Sequence, residues 1–314
     1  MVALRRPDEL PPPPEDGLPT RPIKAHSLDK LHYWGCYLEA ASTALKAKFP
    51  TRVCADIFAA YGVCTDNDGT RHWGSALLAL QVAAPFDVYF FNDVNPDATA
   101  ALVHRAQEIG IAYASIHTLD LNDPEHLVRA RKIGRLKSLG PKIVVSTGDA
   151  NKAHYALKEV AGIGPRYVCA VIDPASAVYE WEAFEALAYM EKALDTLVLF
   201  PDAMDLGRGL PYYLRDGRGD KLDRCFGPVG RRHWRDEAKA APHPESALRS
   251  LYEKQMRTLI GLEVGRPRTV SRTGTNMALY RLVFGSRNQK GIDIWNDICR
   301  RTRDEQYEMF LGDV

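Results

Sequence analysis

Five short apolar runs constrain this chain more than any other feature: VCADIFAA (53–60), FDVYFFND (86–93), KIVVSTGDA (142–150), RYVCAVIDP (166–174) and LDTLVLFPD (194–202). Longer stretches rich in Ala, Leu, Glu and Lys separate them. A run that is apolar at nearly every position, rather than at every second one, is a strand covered on both faces. Strands of that kind alternating with helical stretches build a parallel sheet with helices on each side. The expected fold is therefore α/β, with a mostly parallel, Rossmann-like sheet. A chain of 314 residues with 46% hydrophobic content has enough apolar material for one large core of this type.

Four of the runs finish on or beside an acid, at Asp93, Asp149, Asp173 and Asp202, and the first carries Asp56 just inside its end. In an open parallel sheet ligands settle at the carboxyl ends of the strands, so acids recurring there mark a polar crevice. Asp also caps helices and turns, and each of these residues taken singly reads equally well as a cap. The turn after the first run, AAYG, places Ala59 and Ala60 before Gly62. Small residues let backbone amides approach a ligand, although the pattern is weaker than GxGxxG and lacks the Walker lysine. Asp93 stands where a Rossmann-like fold sets an acid against ribose hydroxyls, and GDAN offers Asp149 or a neighbouring amide to an adenine edge. Turn, acid, GDA and DP in this order favour S-adenosylmethionine over a nicotinamide or a triphosphate. Asp56, Ala59, Gly62, Asp93 and Asp149 are the candidate cofactor contacts. Asp173 is the candidate catalytic residue, orienting or deprotonating an acceptor, with a loop cap as the alternative.

The rest of the chain is read around that body. PPPPEDGLPTRP (11–22) lacks amide donors at its prolines, so residues 1–24 are expected to form a disordered or draped arm without helix or sheet. In HSLDKLHYWGCYLEAASTALKAKF (26–49), Leu28, Leu31, Trp34, Tyr37, Leu38 and Ala41 recur at helical spacing, with Ser27 as the N-cap. An insertion at about 205–240 carries Arg208, Arg215, Arg218, Lys221, Arg224, Arg231, Arg232 and Arg235 among Tyr212, Tyr213, Phe226, His233 and Trp234. Guanidinium groups pair with phosphates and rings stack on bases, so Arg215, Arg218, Lys221, Arg224, Arg231, Arg232 and Arg235 are candidate contacts to DNA or RNA. The alternative is a solvated loop whose arginines pair with Asp216, Asp220 and Asp223. Lys and Arg total 41 against 40 Asp and Glu, so any attraction to nucleic acid has to be local. The six cysteines show no CxxC pair and mostly sit in apolar runs, as reduced, buried thiols do. With neither a long apolar span nor a signal peptide, the expectation is a cytoplasmic protein off the membrane. No metal site or GxSxG triad is nominated; His72, near the cofactor turn, reads as a gate or a polar loop residue.

HSLDK (26–30) with YLEA (37–40), DIFAAYG (56–62), GSALLAL (74–80), FFND (90–93), GDAN (148–151), DP (173–174), LDRCFG (222–227) and LVFGSRNQKGIDIWNDI (282–298) together resemble the three-Cys-motif partner family, TcmP. The resemblance spans most of the chain after the arm. It implies a class I methyltransferase-like, Rossmann-type domain over residues 25–314. It also implies partnership with a three-cysteine protein of radical S-adenosylmethionine type, whose cysteines this chain does not supply. Two departures stand out. The family turn reads closer to DxFAGxG, so Ala60 replaces a glycine, and its methyl group opposes positive φ and narrows the backbone's approach to a cofactor. Asp173–Pro174 is followed by Ala175 and Ser176, where methyltransferases acting on bases carry a proline and a stacking aromatic. Two functions stay open: an S-adenosylmethionine-dependent methyltransferase modifying or repairing nucleic acid held by the insertion, and a non-catalytic scaffold docking the partner on nucleic acid.

Overall fold

A computed structural model describes residues 6–301, apart from 175, 202–205, 216–217 and 273–276. Ala175, Asp202 and Asp216 of the sequence reading lie outside the described residues. In chain order the strands are β1 (Arg21–Pro22), β2 (Arg52–Asp56), β3 (Val63–Thr65), β4 (Arg71–Trp73), β5 (Val88–Asp93), β6 (Ser115–Asp120), β7 (Lys142–Thr147), β8 (Tyr167–Ile172), β9 (Ala193–Phe200), β10 (Glu263–Val264), β11 (Arg268–Ser271) and β12 (Ala278–Ser286). The helices are α1 (His26–Ala44), α2 (Ser75–Leu80), α3 (Pro96–Ile109), α4 (His126–Arg135), α5 (Ala153–Ala161), α6 (Trp181–Met190), α7 (Arg208–Tyr213), α8 (Asp220–Gly230), α9 (Trp234–Ala240), α10 (Pro244–Ile260) and α11 (Gln289–Cys299).

The main sheet runs β10-β12-β9-β8-β2-β5-β7-β6, with β11 added on β12. From β9 to β6 every pairing is parallel; β12 turns antiparallel against β9. Every residue of β2 and of β8 is buried, as the unbroken apolar runs require of central strands. On one face α1, α2, α3 and α11 cover Cys54, Tyr89, Phe91 and Phe284; on the other α4, α5, α6, α8 and α10 cover Val53, Phe90, Val168 and Val198. This is the α/β, Rossmann-like arrangement with helices on both faces. After β2 the chain goes first to β5 on one side and later to β8 on the other, so the order reverses at β2. A crevice opens at the carboxyl end of such a strand.

Several elements differ from the sequence expectation. SIHTLD is an extra strand at the sheet's edge, where only Leu119 is buried; an edge strand with one partner does not need an apolar run. Between the turn after β2 and α2 the chain inserts the β3–β4 hairpin. The arm is not free of regular structure: Pro7–Glu9 form a 3-10 turn, and Arg21–Pro22 pair with Cys64 and Thr65. Pro22 tolerates this because it sits at the end of an edge strand, where its missing amide is not needed. Ser27 does not cap α1, which starts at His26 with Ala25 in the cap position. Among the described residues, no helix is long and apolar enough to cross a membrane.

Candidate functional site

The turn leaving β2 is backbone geometry first. Ala60 has φ +49° and Gly62 φ +72°, both in the left-handed region. For Gly62 this is required twice over, since a Cβ there would lie 2.7 Å from Leu102 Cδ1 and 2.8 Å from Leu77 Cγ. Ala60 has no such freedom, and a β-carbon at that φ is strained by roughly 1–2 kcal/mol. The strain is held by its surroundings. The Ala60 N–H donates to Asp93 Oδ2 at 2.9 Å, and the neighbouring Ala59 N–H donates to the Asn92 carbonyl at 2.8 Å. The Gly74 N–H in turn donates to the Gly62 carbonyl at 2.7 Å, setting the start of α2 against the turn.

Three strand-end acids share one local habit. Asp56, Asp93 and Asp149 each accept the amide two residues on, from Phe58 (3.1 Å), Asn95 (2.9 Å) and Asn151 (3.0 Å). A short carboxylate closing its own Asx turn is how such residues cap strands. The Asp149 side chain does only this; it is exposed and is not among the residues lining the crevice described below. Asp93 accepts one amide on each oxygen, from Ala60 on Oδ2 and Asn95 on Oδ1, and so holds the turn while each oxygen keeps a further acceptor position. Asp56 is 1% exposed and also accepts the Ser75 hydroxyl at 2.6 Å. Burial pushes its carboxyl up to about 7, against the Ser75 bond and with help from the negative charges of Asp173 and Asp93.

Asp173 departs from the habit. Its Oδ2 accepts from Lys30 Nζ at 2.6 Å, an ion pair in which both side chains are about nine-tenths buried. Lys30 comes from α1, where its ammonium also lies 5.3 Å from the centroid of Trp34. The sequence reading missed Lys30. Its signal was a lysine four residues before Trp34, on the apolar stripe of an amphipathic helix. Ser75 and Arg105, another buried participant, carried no comparable pattern.

Ala59, Ala60, Gly62, Ser75, Lys30 and Asp173 line a crevice whose outer wall is Arg21 and Ile23 of the arm. The structure thus brings Ala59, Gly62 and Asp173 to one crevice, while Asp56 reaches it only through Ser75 and Asp93 through the Ala60 amide. The crevice volume is 30 Å³, room for one or two waters. Carboxylates and turn amides are the donors and acceptors an adenosyl group needs, but this closed arrangement has no space for one. Tyr61 is not part of the lining; its hydroxyl accepts from Asn95 Nδ2 at 3.0 Å, just past the end of β5.

The basic insertion divides into two groups. Arg224 pairs with Glu180 at 3.1 Å, and Arg235 grips Asp223 at both oxygens, at 2.7 and 3.1 Å, while lying over Trp234. Arg235 thus meets Asp223, one of the acids the solvated-loop alternative names, whereas Arg224 meets Glu180 and stays exposed. The segment itself is not a loop but α7, α8 and α9, with Leu222, Phe226 and Trp234 buried. Lys221 reaches the Tyr213 hydroxyl at 3.2 Å. Arg215, Arg218, Arg231 and Arg232 are exposed, Arg218 stacked on the ring of Tyr212 at 5.5 Å. Glu180, Glu182 and Asp223 line one cleft with Arg224 and Arg231.

No protein-family model matches the sequence. No curated protein matches it either. Among solved structures, the chain is similar to Trm5b from Pyrococcus abyssi at 12% identity and a TM-score of 0.33, covering 80% of this chain and 49% of that one. The chain therefore spans about half the length of that structure. The likeness is loose, and no property of Trm5b is carried over from it.

Proposed function

We propose that this chain is a class I methyltransferase-like protein that takes S-adenosylmethionine at the turn after β2, acts on nucleic acid through its exposed arginines, and partners a three-Cys-motif protein of radical S-adenosylmethionine type. The observation that carries the cofactor reading is Ala60. A residue other than glycine held left-handed at the reversal point of the sheet, by a carboxylate from the next strand, is strain of the kind kept at binding sites. The amides around Ala59, Ala60 and Gly62 would face the cofactor, and Asp93 would hold them in place. S-adenosylmethionine, when bound, supplies an electrophilic methyl group. The chain's own part is to position: Asp56 holds Ser75 of the crevice wall through its Oδ2, and Asp173 orients an acceptor once it is freed from Lys30.

A second reading, a non-catalytic scaffold docking the partner on nucleic acid, is favoured by the 30 Å³ volume of the crevice and by the Lys30–Asp173 pair that shuts it. Titration calorimetry with S-adenosylmethionine and S-adenosylhomocysteine separates the two. Micromolar binding that weakens in Asp93→Asn supports the enzyme-like reading. Silence from both ligands, in wild type and in a Lys30→Met chain, leaves only the scaffold.

A further inference from the structure

The arm is fastened to the body by polar contacts that centre on one buried side chain. Arg105 of α3 is 4% exposed. Its guanidinium donates to both carboxylate oxygens of Asp16, at 2.7 and 3.1 Å, and to the carbonyls of Leu18 (3.2 Å) and Pro19 (3.0 Å). The same group donates to the carbonyl of Tyr61 at 2.7 Å, so a single arginine ties the arm to the turn after β2. Arg71 adds a bond to Asp16 at 2.8 Å, and Trp73 Nε1 donates to the Pro11 carbonyl at 2.7 Å. The strand β1 then adds to β3, and Arg21 and Ile23 close over the crevice. Among residues 6–24 only Pro13 is buried. A segment held by a polar latch with so little apolar contact opens well before the core does.

We propose that Arg105, Arg71, Trp73 and the edge of β3 form a recognition site for an extended, proline-containing acidic segment, that the chain's own residues 8–23 fill it, and that releasing them opens the crevice at the end of β2. Each part of the surface reads one feature of such a segment. The arginine fork takes a carboxylate, the indole N–H takes a carbonyl of a polyproline stretch, and the strand edge takes main-chain bonds. Covalent attachment favours the chain's own arm, so a partner segment has to compete against a high effective concentration. The crevice-opening step rests on the cofactor reading above; the recognition site does not.

Hydrogen exchange on the full chain tests this. In Asp16→Ala, exchange over residues 8–22 is expected to rise about tenfold or more, as loss of charged hydrogen bonds in a low-stability segment allows. Residues 57–62 should follow, and S-adenosylhomocysteine should bind more tightly. A synthetic peptide of residues 8–23 should restore the protection of 57–62. Because Asp16→Ala leaves Arg105 without its carboxylate, Trp73→Phe serves as a gentler release and should act in the same direction. Unchanged exchange of the arm in both variants overturns the latch, and an arm that loosens while 57–62 stay protected overturns the coupling. A peptide that does not bind overturns the recognition site. If arm and turn both loosen while S-adenosylhomocysteine stays silent, the strap stands and the cofactor reading fails.

Discussion

Ala60 and Gly62 sit two residues apart, share the left-handed backbone region, and should respond to exchange of their side chains with opposite signs. Replacing Ala60 by Gly removes the strain of a β-carbon at φ +49°, roughly 1–2 kcal/mol. Against this stands the greater freedom glycine gives the unfolded chain, about 0.4–1 kcal/mol. The Ala60 N–H to Asp93 bond needs no side chain and survives. The expected net effect is a stabilisation of up to about 1.5 kcal/mol. Replacing Gly62 by Ala adds the same left-handed penalty and forces a methyl to within 2.7–2.9 Å of Leu102 and Leu77. Both leucines are fully buried, so they have little room to retreat. Overpacking of that kind adds about 1–3 kcal/mol and the lower freedom of alanine in the unfolded chain returns about 0.4–1 kcal/mol, for a total loss of roughly 1–5 kcal/mol. Urea unfolding followed by circular dichroism reads both effects, provided the slope with denaturant is unchanged between variants. If Ala60→Gly were destabilising by more than about 1 kcal/mol, or Gly62→Ala neutral, the backbone account of this turn would be wrong. A stabilised Ala60→Gly chain that binds S-adenosylhomocysteine no better would confine Ala60's role to the fold.

Other expectations follow from the same geometry. The Asp56 carboxyl is raised in the folded state to about 7 from 3.8, so between those values the folded chain holds a proton that the unfolded chain has lost. Stability contributed by that proton is present below about pH 4 and declines as pH rises to 7, by at most roughly 1.4 kcal/mol per pH unit; Asp56→Asn should flatten this part of a stability-versus-pH curve. Asp16 acts in the other direction, because the Arg105 guanidinium holds its carboxyl well below the usual carboxylate range. Its contribution is full above the ordinary carboxylate pKa and is lost as pH falls through the depressed folded value, so acid should release the arm, seen as faster proteolysis within residues 8–22. Lys30→Met leaves Asp173 buried without its cation and should cost about 3–5 kcal/mol, much of it regained in Lys30→Met with Asp173→Leu; full additivity in that double-mutant cycle would deny the pair. For the insertion, Arg231→Gln with Arg232→Gln should lower the salt dependence of oligonucleotide binding by about two charges without loss of stability. Arg235→Gln should instead lower stability, by about 1 kcal/mol or less, with the salt slope unchanged. The reverse pattern would exchange the roles assigned to these arginines.

The sheet was legible because its strands are central. A strand with helices on both faces has to be apolar throughout, and β2, β5, β7, β8 and β9 announce themselves that way. SIHTLD was not legible, because an edge strand satisfies its backbone on one side only and admits His117, Thr118 and Asp120. The strand-end acids were visible as a set, yet their division was not: Asp56, Asp93 and Asp149 close their own Asx turns, whereas Asp173 finds a lysine 143 residues earlier in the chain. Likewise the arginines of the insertion look alike in sequence, and only the positions of Glu180 and Asp223 decide that Arg224 and Arg235 form ion pairs there.

Local rules thus settled this chain's layers, because burial on two faces writes itself into consecutive residues. Contacts between distant residues settled everything at the crevice: Asp93 holding Ala60, Lys30 closing on Asp173, and Arg105 joining the arm to Tyr61. Such pairings depend on where the sheet brings the ends of separate strands, and a position along the chain carries no record of its neighbours in space.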